Sequence, residues 1–356
     1  MIYLDYQATT PLAPEAFEAM LPWLRDSHAN PHSAHSAGRK AKAAIEVARG
    51  EIAGLLPPGG RVVFTSGATE ALNWAIKGVA GPVVTIATEH AAVLDTVRAG
   101  GAARVVGVDR EGLVDRDALA AALPGAALVE AMLVNNEIGV IQPIAEIAAA
   151  AHEAGALMLC DAVQGYGRVT IPAGCDLIAL SAHKIYGPKG VGALWIRDGV
   201  TLDPLLHGGD QEGGRSGTLS PALCVGFGVA ARLMKTRAAE DATHVEQLWS
   251  LAIDRVTGWT VNGSTTQRYR GNLNLRREGL DVNRLMSDCR DIAFSAGSAC
   301  ASGSGRPSHV LKAIGLDDRQ ARSSIRLGFG RYTTEVELAT ALTRIAAAAD
   351  AQRIAA

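Results

Sequence analysis

A lysine lies where a desolvated amine could act as a nucleophile. Lys184 ends the run Ser181-Ala-His183-Lys184, directly after the apolar segment LIAL and before the strand-like ALWI. Among Gly-rich loops at the end of a buried strand, a lysine amine can lose solvation and attack carbonyl compounds. By itself the pattern favours an ordinary exposed lysine, because most lysines are solvated.

An aspartate ends an earlier strand-like run. Asp161 follows the apolar letters LMLC, about twenty residues before Lys184. Ligands bind at the carboxyl edge of open α/β sheets, and an aspartate there can keep a pyridine nitrogen protonated, so that the ring accepts electrons. A helix N-cap explains Asp161 equally well when the motif is viewed alone.

A third motif, Thr65-Ser-Gly67-Ala68-Thr69-Glu70, joins the strand-like RVVF to a helical stretch. The glycine lets backbone approach an anion, and the free amides and hydroxyls at a helix start bind phosphate. A capped turn is the alternative, and the missing Walker spacing argues against ATP. Because the three motifs occupy successive crossovers of one predicted sheet, we expect them to form one site.

One cysteine of five differs from the others in its surroundings. Cys300 lies in SAGSACASGSGRPSHV, and a segment this rich in Gly and Ser predicts a mobile, exposed thiol. The other four, Cys160, Cys175, Cys224 and Cys289, are interpreted as small buried residues. The odd number and the lack of paired C-x-x-C spacing argue against a disulfide framework and a structural zinc site, and we expect no metal.

The elements that must position these motifs alternate along the chain. Strand-like runs RVVFT, VVTIA, ARVVGV, ALVEAML, LMLCD and LIALS are separated by helical stretches such as TEALNWAIKGV and IAEIAAAAHEAG. This alternation predicts an α/β fold, a mainly parallel sheet covered on both faces. A helical run from about Pro221 to Trp249 follows, and NLNL and SIRLGFG then predict a smaller α+β lobe. We expect a large domain over residues 13–235 and a small domain over residues 1–12 and 236–356.

The composition favours a small-molecule enzyme. The 356 residues are 48% hydrophobic, and 34 basic residues nearly balance 36 acidic ones. No strong field would draw the chain to nucleic acid or to an anionic membrane. No uncharged apolar run reaches the ~18–20 residues of a membrane span, and no basic leader precedes an apolar stretch at the start. We expect a cytoplasmic location.

From Tyr3 to about Thr334 the chain resembles the pyridoxal-phosphate (PLP) dependent cysteine desulfurases of the NifS/IscS type, which have the class V aminotransferase fold, PLP fold type I. The strings that carry the resemblance are YLDYQATTP, FTSGATEALNWAIKG, TEHAAVLDT, VNNEIGVIQPI, DAVQ, SAHKIYGPKGVGAL, RSGT, SAGSACASGS and SSIRLGFGRYTTEVE. Several are long, and all occur in the family's order.

The resemblance implies how a PLP ring would be held. Lys184 would carry the cofactor, Asp161 would pair with the pyridine nitrogen and Gln164 would bond the phenolic oxygen. His90 would stack on the ring face and serve in catalysis. Alone, a histidine such as His90 is more often a structural residue.

The resemblance also implies a phosphate site shared between subunits. Ala68, Thr69, Ser181 and His183 would hold the phosphate, with Thr218 supplied by the other subunit of a homodimer. The stretch from Gln211 to Thr218 is one residue shorter than the usual family form and lacks the Arg that normally follows the Glu. The departure lies in the stretch that would bring Thr218 to the phosphate of the other subunit.

The substrate implied is L-cysteine, which would yield L-alanine. Asn136 and Arg326 would take the substrate carboxylate, a role that suits the planar guanidinium. Alone, Asn136 also fits a turn and Arg326 a surface ion pair. The Cys300 thiolate would accept the sulfur as a persulfide and pass it to a protein acceptor such as an iron–sulfur scaffold. The spacing of Cys300 is that of the family's long-loop group, although the chain lacks the long tail with which some members dock a scaffold.

Three alternatives remain at this stage. An aminotransferase or selenocysteine lyase would use the same fold, since fold does not determine function. An NAD-dependent dehydrogenase is suggested by Gly226-Phe-Gly228-Val-Ala-Ala231, but no strand-like run precedes this string, and helix packing explains it better. A non-catalytic adaptor for sulfur transfer is disfavoured by Lys184, Asp161 and Cys300.

Overall fold

The computed structural model describes residues 1–101, 103–297 and 307–354. The strands are β1 (Ile2–Tyr3), β2 (Gly60–Thr65), β3 (Val83–Ile86), β4 (Ala103–Val106), β5 (Leu128–Met132), β6 (Leu157–Asp161), β7 (Leu177–Ser181), β8 (Gly192–Arg197), β9 (Thr260–Val261), β10 (Asn272–Arg276), β11 (Ile292–Ala293), β12 (Ser295–Ala296) and β13 (Ser324–Gly328). The helices are α1 (Pro14–Arg25), α2 (Ser36–Ala53), α3 (Ala68–Lys77), α4 (Ala91–Gly100), α5 (Arg116–Ala122), α6 (Ile144–Glu153), α7 (Pro221–Thr236), α8 (Ala238–Arg255), α9 (Val282–Asp288), α10 (His309–Ala313), α11 (Asp318–Arg322) and α12 (Glu335–Ile354), with a 3₁₀ turn at Ala182–Lys184.

The main sheet has seven strands in the order β2-β8-β7-β6-β5-β3-β4. Neighbouring strands run parallel except at β8, which is antiparallel to both β2 and β7. The α/β fold with a mainly parallel sheet is therefore confirmed. In register, Met132 pairs with Asp161 and Asp161 pairs with Ala179, so the carboxyl ends of β5, β6 and β7 meet at one edge.

Both faces of this sheet are buried, which explains its continuous apolar strands. Along β2, Val62 and Phe64 point into one hydrophobic cluster while Val63 points into another on the opposite face. Side chains alternate between the faces of a strand, and a parallel sheet covered on both sides therefore needs apolar residues at every position.

A second sheet, in the order β12-β13-β10-β9, belongs to a separate hydrophobic cluster. Helices α8 and α12 contribute side chains to this cluster, as does Leu4 from the chain start. Strand β1 pairs in parallel with β11, and Asp5 forms an isolated bridge with Gly328 of β13. The N-terminal strand thus joins the second lobe, as the sequence suggests, while the exact domain limits stay a prediction.

The helical run predicted over Pro221 to Trp249 is two helices. They part at Arg237, whose φ of −105° and ψ of 9° leave the helical region. The break has a packing reason, since α7 buries its apolar residues in the cluster of the main sheet and α8 buries Leu248 and Trp249 in the cluster of the second sheet. One straight helix could not bury apolar residues in both clusters.

The string Gly226-Phe-Gly228 lies inside α7, where it allows close helix packing. A Cβ on Gly226 would meet the Met20 sulfur at 2.6 Å, and one on Gly228 would meet the Ala48 Cα of α2 at 2.6 Å. The dinucleotide-binding interpretation is therefore wrong. Within residues 1–101, 103–297 and 307–354, no helix is long and apolar enough to cross a membrane.

Two glycine substitutions test this packing. Gly228→Ala should destabilise the protein by about 1–3 kcal/mol, because the new methyl group would overlap backbone of α2. Gly50→Ala, inside α2, is the matched control: a Cβ there meets nothing within 4 Å, so the substitution should be neutral or stabilise by roughly 0.5–1 kcal/mol. Denaturant unfolding followed by circular dichroism measures both, and equal stability of the two variants would contradict the assigned α2–α7 contact.

Candidate active site

A cavity of about 680 Å³ opens at the carboxyl edge of the main sheet. Its wall includes residues from the start of α3, the ends of β6 and β7, and the N-terminal segment. Ten of the predicted site residues lie on this wall: Ala68, Thr69, His90, Asn136, Asp161, Gln164, Ser181, His183, Lys184 and Arg326. Thr218 is exposed and is not on it, and Cys300 lies outside the described residues.

Lys184 is half-buried and reaches the N-terminal segment. It ends the 3₁₀ turn that follows β7, and its Nζ donates to the carbonyl oxygens of Gln7 at 2.5 Å and Ala8 at 2.9 Å. The expected position of the amine at a strand end among loops is therefore found. Two backbone carbonyls orient the amine toward the cavity without adding a counter-charge.

Side chains from elsewhere in the chain support the turn that holds Lys184. The Arg168 guanidinium donates to the carbonyl oxygens of Lys184 at 2.5 Å and Gln164 at 3.0 Å. Tyr186 has a φ of 68°, which costs a non-glycine residue energy. Its amide donates to Thr10 Oγ1 at 2.7 Å, and this bond helps to hold the strained conformation.

Asp161 ends β6 and is buried at the cavity wall. Its Oδ1 accepts a hydrogen bond from the Val163 amide at 2.9 Å. Burial raises the pKa of its carboxyl to about 6, although that bond and the charge of Lys184 favour the ionised form. At neutral pH the group is thus an anion that binds protons more strongly than an exposed aspartate.

Gln164 lies three residues after Asp161, and its side-chain oxygen lacks a hydrogen-bond donor. Its Nε2 donates to the Gln7 carbonyl oxygen at 2.9 Å. Its Oε1 is buried and has no hydrogen-bond partner among the described residues. Such a group is costly unless a ligand or water satisfies it.

Two histidines near the lysine are held neutral. The pKa of His90 is lowered by burial and by the charge of Lys184, and its Nδ1 accepts from the Ala92 amide at 3.0 Å as the N-cap of α4. The pKa of His183 is lowered to about 4 by burial and by the charges of Lys184 and Lys189. His183 Nδ1 lies 3.1 Å from Thr9 Oγ1.

The start of α3 has the features of an anion site. Gly67 and Ala68 face the cavity, and the helix N-terminus carries free amides and a partial positive charge. Glu70 accepts from the Ser66 amide at 2.7 Å and from Arg215 at 2.8 Å. The ion pair between Arg215 and Glu70 thus links the shortened stretch that contains Thr218 to the start of α3.

Arg326 is fully buried in β13, and the alternative of a surface ion pair is wrong. Its Nη2 lies 2.8 Å from Asp5 Oδ1, and its Nη1 donates to the Asn136 carbonyl oxygen at 3.0 Å. The turn role considered for Asn136 belongs to its neighbour, because the Asn135 Oδ1 accepts the amides of Glu137 and Ile138. The buried Nε of Arg326 has no partner among the described residues.

The N-terminal segment contributes site residues that sequence reasoning missed. Asp5 orients Arg326, the Gln7 carbonyl serves both Lys184 and Gln164, and Ala8 and Thr9 lie on the cavity wall. The available signal was the string YLDYQATTP, which carries part of the family resemblance although no role was assigned to its residues.

Comparisons with known proteins agree with this geometry. Residues 2–340 match the family model described as Aminotransferase class-V. Cysteine desulfurase IscS of Rickettsia bellii (strain OSU 85-389) is 43% identical over 361 residues, covering 95% of this chain and 88% of the relative. The solved NifS-like protein from Rickettsia africae ESF-5 superposes with a TM-score of 0.91 at 30% identity, over 98% of this chain and 99% of that one. The structure titled SspA in complex with cysteine superposes with a TM-score of 0.83 at 36% identity, over 94% of this chain and 100% of that one.

The match covers nearly the whole length of both chains, and the site residues named by resemblance lie together in one cavity, apart from Thr218 and the undescribed Cys300. The chain therefore belongs to the class V aminotransferase family and, within it, to the NifS/IscS-like cysteine desulfurases.

Proposed function

We propose that the protein removes sulfur from L-cysteine with PLP, the cofactor of this family, and releases L-alanine. The observation that carries the proposal is the placement of Lys184, Asp161 and the unsatisfied Gln164 Oε1 on the wall of one cavity, together with a helix N-terminus that suits a phosphate. Relatives named for this activity, at 41–43% identity, support it.

The residues present fit the cofactor. The Asp161 carboxylate suits a protonated pyridine nitrogen, and the Gln164 side chain suits the phenolic oxygen. The amides at the start of α3, with Thr69 and Ser181, suit a phosphate dianion. When bound, the cofactor supplies a ring that accepts electrons from the substrate.

The remaining chemistry falls to side chains of this chain. Arg326, aligned by Asp5, would bind the substrate carboxylate together with Asn136. The Lys184 amine would remove a proton from the substrate Cα and return it. Neutral His90, proposed to cover the ring face, adds no positive charge that would compete with the protonated nitrogen for Asp161.

The sulfur step is assigned to Cys300. Its thiolate would attack the substrate sulfur, so that an S–S bond forms, the C–S bond breaks and the electron pair passes to the three-carbon fragment, which leaves as alanine. The four described cysteines are buried, and burial raises the pKa of the Cys224 thiol to about 12. Such thiols are poor nucleophiles, which supports Cys300 by contrast.

The proposal extends to partners and organisation. We propose a homodimer in which exposed Thr218 reaches the phosphate site of the other subunit. The persulfide would pass to a protein acceptor, an iron–sulfur scaffold in the first instance. We also propose a cytoplasmic location, and a division between residues 13–235 and the small domain of 1–12 and 236–356, in line with the separate hydrophobic clusters.

Substitution of the two reacting side chains tests the activity. Lys184→Ala and Cys300→Ala should each lower sulfide release from L-cysteine by a factor of about 10²–10⁴, the usual contribution of a positioned catalytic group. Cys300→Ala should keep a yellow, borohydride-sensitive absorbance that Lys184→Ala lacks. Cys289→Ala, at a buried cysteine remote from the cavity wall, is the control and should release sulfide normally. Wild-type sulfide release by Cys300→Ala would overturn the assignment of the sulfur acceptor.

Arg326 and Asp5 should control substrate affinity. Arg326→Lys removes the planar fork and should raise KM for cysteine by about 10-fold or more, the usual effect of losing charge-assisted hydrogen bonds. Asp5→Asn keeps a hydrogen-bond acceptor for Arg326 and should raise KM by a smaller factor than Arg326→Lys. In both variants kcat should change less than KM. The control is Arg344→Lys, in the exposed Arg344–Asp291 ion pair. An unchanged KM in Arg326→Lys would exclude Arg326 from carboxylate binding.

A further inference from the structure

Two buried glutamates next to Asp161 have no part in the proposed reaction. Glu130 lies in β5 with no exposed surface, and Glu89, directly before His90, is 1% exposed. Neither glutamate lines the cavity described above. Burial of two carboxylates at neighbouring positions would be very costly if both were ionised, and so the pair requires a physical explanation.

Each glutamate has one oxygen satisfied by a donor. Glu130 Oε2 accepts from Thr85 Oγ1 of the neighbouring strand β3 at 2.6 Å. Glu89 Oε1 accepts from the Met132 amide at 2.9 Å. The other two oxygens, Glu89 Oε2 and Glu130 Oε1, are buried and have no hydrogen-bond partner among the described residues.

Burial, and after it the charge of Glu130, raises the pKa of Glu89, so the two carboxyl groups are neighbours. A bond between two carboxyl oxygens exists only when a proton lies between them, because ionised carboxylates are acceptors only. Two carboxylate charges cannot coexist at short distance in a buried site, and protonation of both groups removes this repulsion and supplies a donor for an oxygen that lacks one.

The surroundings determine which carboxyl of the cluster ionises first. Burial raises the pKa of Glu130 to about 8 and that of Glu89 well above its usual value, and the charge of Asp161 adds to both effects. The pKa of Asp161 rises only to about 6, because its ionised form gains the Val163 amide and the charge of Lys184. Cys160 also faces the cluster, and its hydrogen bond with Cys175 and its burial raise the pKa of its thiol, so it stays neutral. His309 approaches from α10, where its Nε2 lies 2.8 Å from the Glu89 carbonyl oxygen.

We propose that Glu89 and Glu130 are positioning residues that both stay protonated at neutral pH and thereby leave the negative charge of the cluster on Asp161. The pair would thereby keep Asp161 ionised where the cofactor nitrogen binds. The role of Asp161 rests on the proposed function, whereas the protonation of the pair does not.

Infrared spectroscopy of the cofactor-free protein tests the protonation directly. A protonated buried carboxyl group absorbs apart from ionised carboxylates, and this band should be present at pH 7 in the wild type. Glu130→Gln should remove at least part of it, since one acid of the pair is gone. Glu18→Gln, at an exposed position of α1, is the matched control and should keep the full band. Absence of the band in the wild type at pH 7 would overturn the proposal, and this measurement stands even if Glu130→Gln fails to fold.

Coupling to Asp161 is tested by a pH titration of the same band. In the wild type the contribution of Glu130 to the band should disappear as the pH rises through about 8. Asp161→Asn removes the neighbouring negative charge and so tests the effect of Asp161 on the pair.

 The charge of Asp161 raises the pKa of both glutamates, and its loss should therefore shift the disappearance of the band to lower pH. A midpoint that is unchanged or higher in Asp161→Asn would contradict the proposed coupling.

The pH dependence of stability gives an independent readout. A carboxyl whose pKa is raised by folding stabilises the protein below its unfolded pKa of about 4.5, and this contribution is lost as the pH rises through its folded pKa. Between pH 5 and pH 9 the wild type should thus lose thermal stability relative to Glu130→Gln. A constant difference over this range would contradict the proposal. Neither readout involves the cofactor or cysteine. A failed activity test would therefore not contradict the protonation of the pair. A missing infrared band would likewise not contradict the desulfurase assignment.

Discussion

Parallel pairing of β5, β6 and β7 is the constraint on which the site depends. Since parallel strands end on the same side, the register that pairs Met132 with Asp161 and Asp161 with Ala179 brings three strand ends to one edge. The turn with Lys184 follows β7 directly, and the start of α3 follows β2 at the same edge. The cavity is thus a product of strand order, and the side chains on its wall add chemistry to a position that the sheet has already defined.

The N-terminal segment joins the two sheets through the site. Strand β1 and Asp5 pair with strands of the second lobe, while the carbonyls of Gln7 and Ala8 accept hydrogen bonds from Lys184. One short segment therefore relates the arginine of the second sheet to the lysine of the first. This arrangement explains why the wall contains backbone groups as well as the charged side chains on which sequence reasoning concentrates.

Much of this could be predicted from sequence because the signals are local. The apolar runs identify the strands, and the position of Asp161 and Lys184 at strand ends follows from adjacency in the chain. The break at Arg237 could not be predicted in this way, since it depends on which core each helix contacts. The Asp5–Arg326 ion pair and the contact between Glu89 and Glu130 join residues distant in sequence, and no local pattern reports such pairs. Thr218 and Cys300 remain predictions, the first because its expected contact is with another subunit.

The supports of Lys184 have a practical consequence for protein engineering. Because Gln7, Ala8 and Thr10 hold the lysine turn through their own backbone or side-chain oxygens, the first ten residues are a structural part of the candidate active site. A truncated expression clone that begins at α1 would keep the seven-stranded sheet and its helices, yet it would lack the acceptors that aim the amine. Affinity tags and fusion partners are for this reason better attached at the other end of the polypeptide.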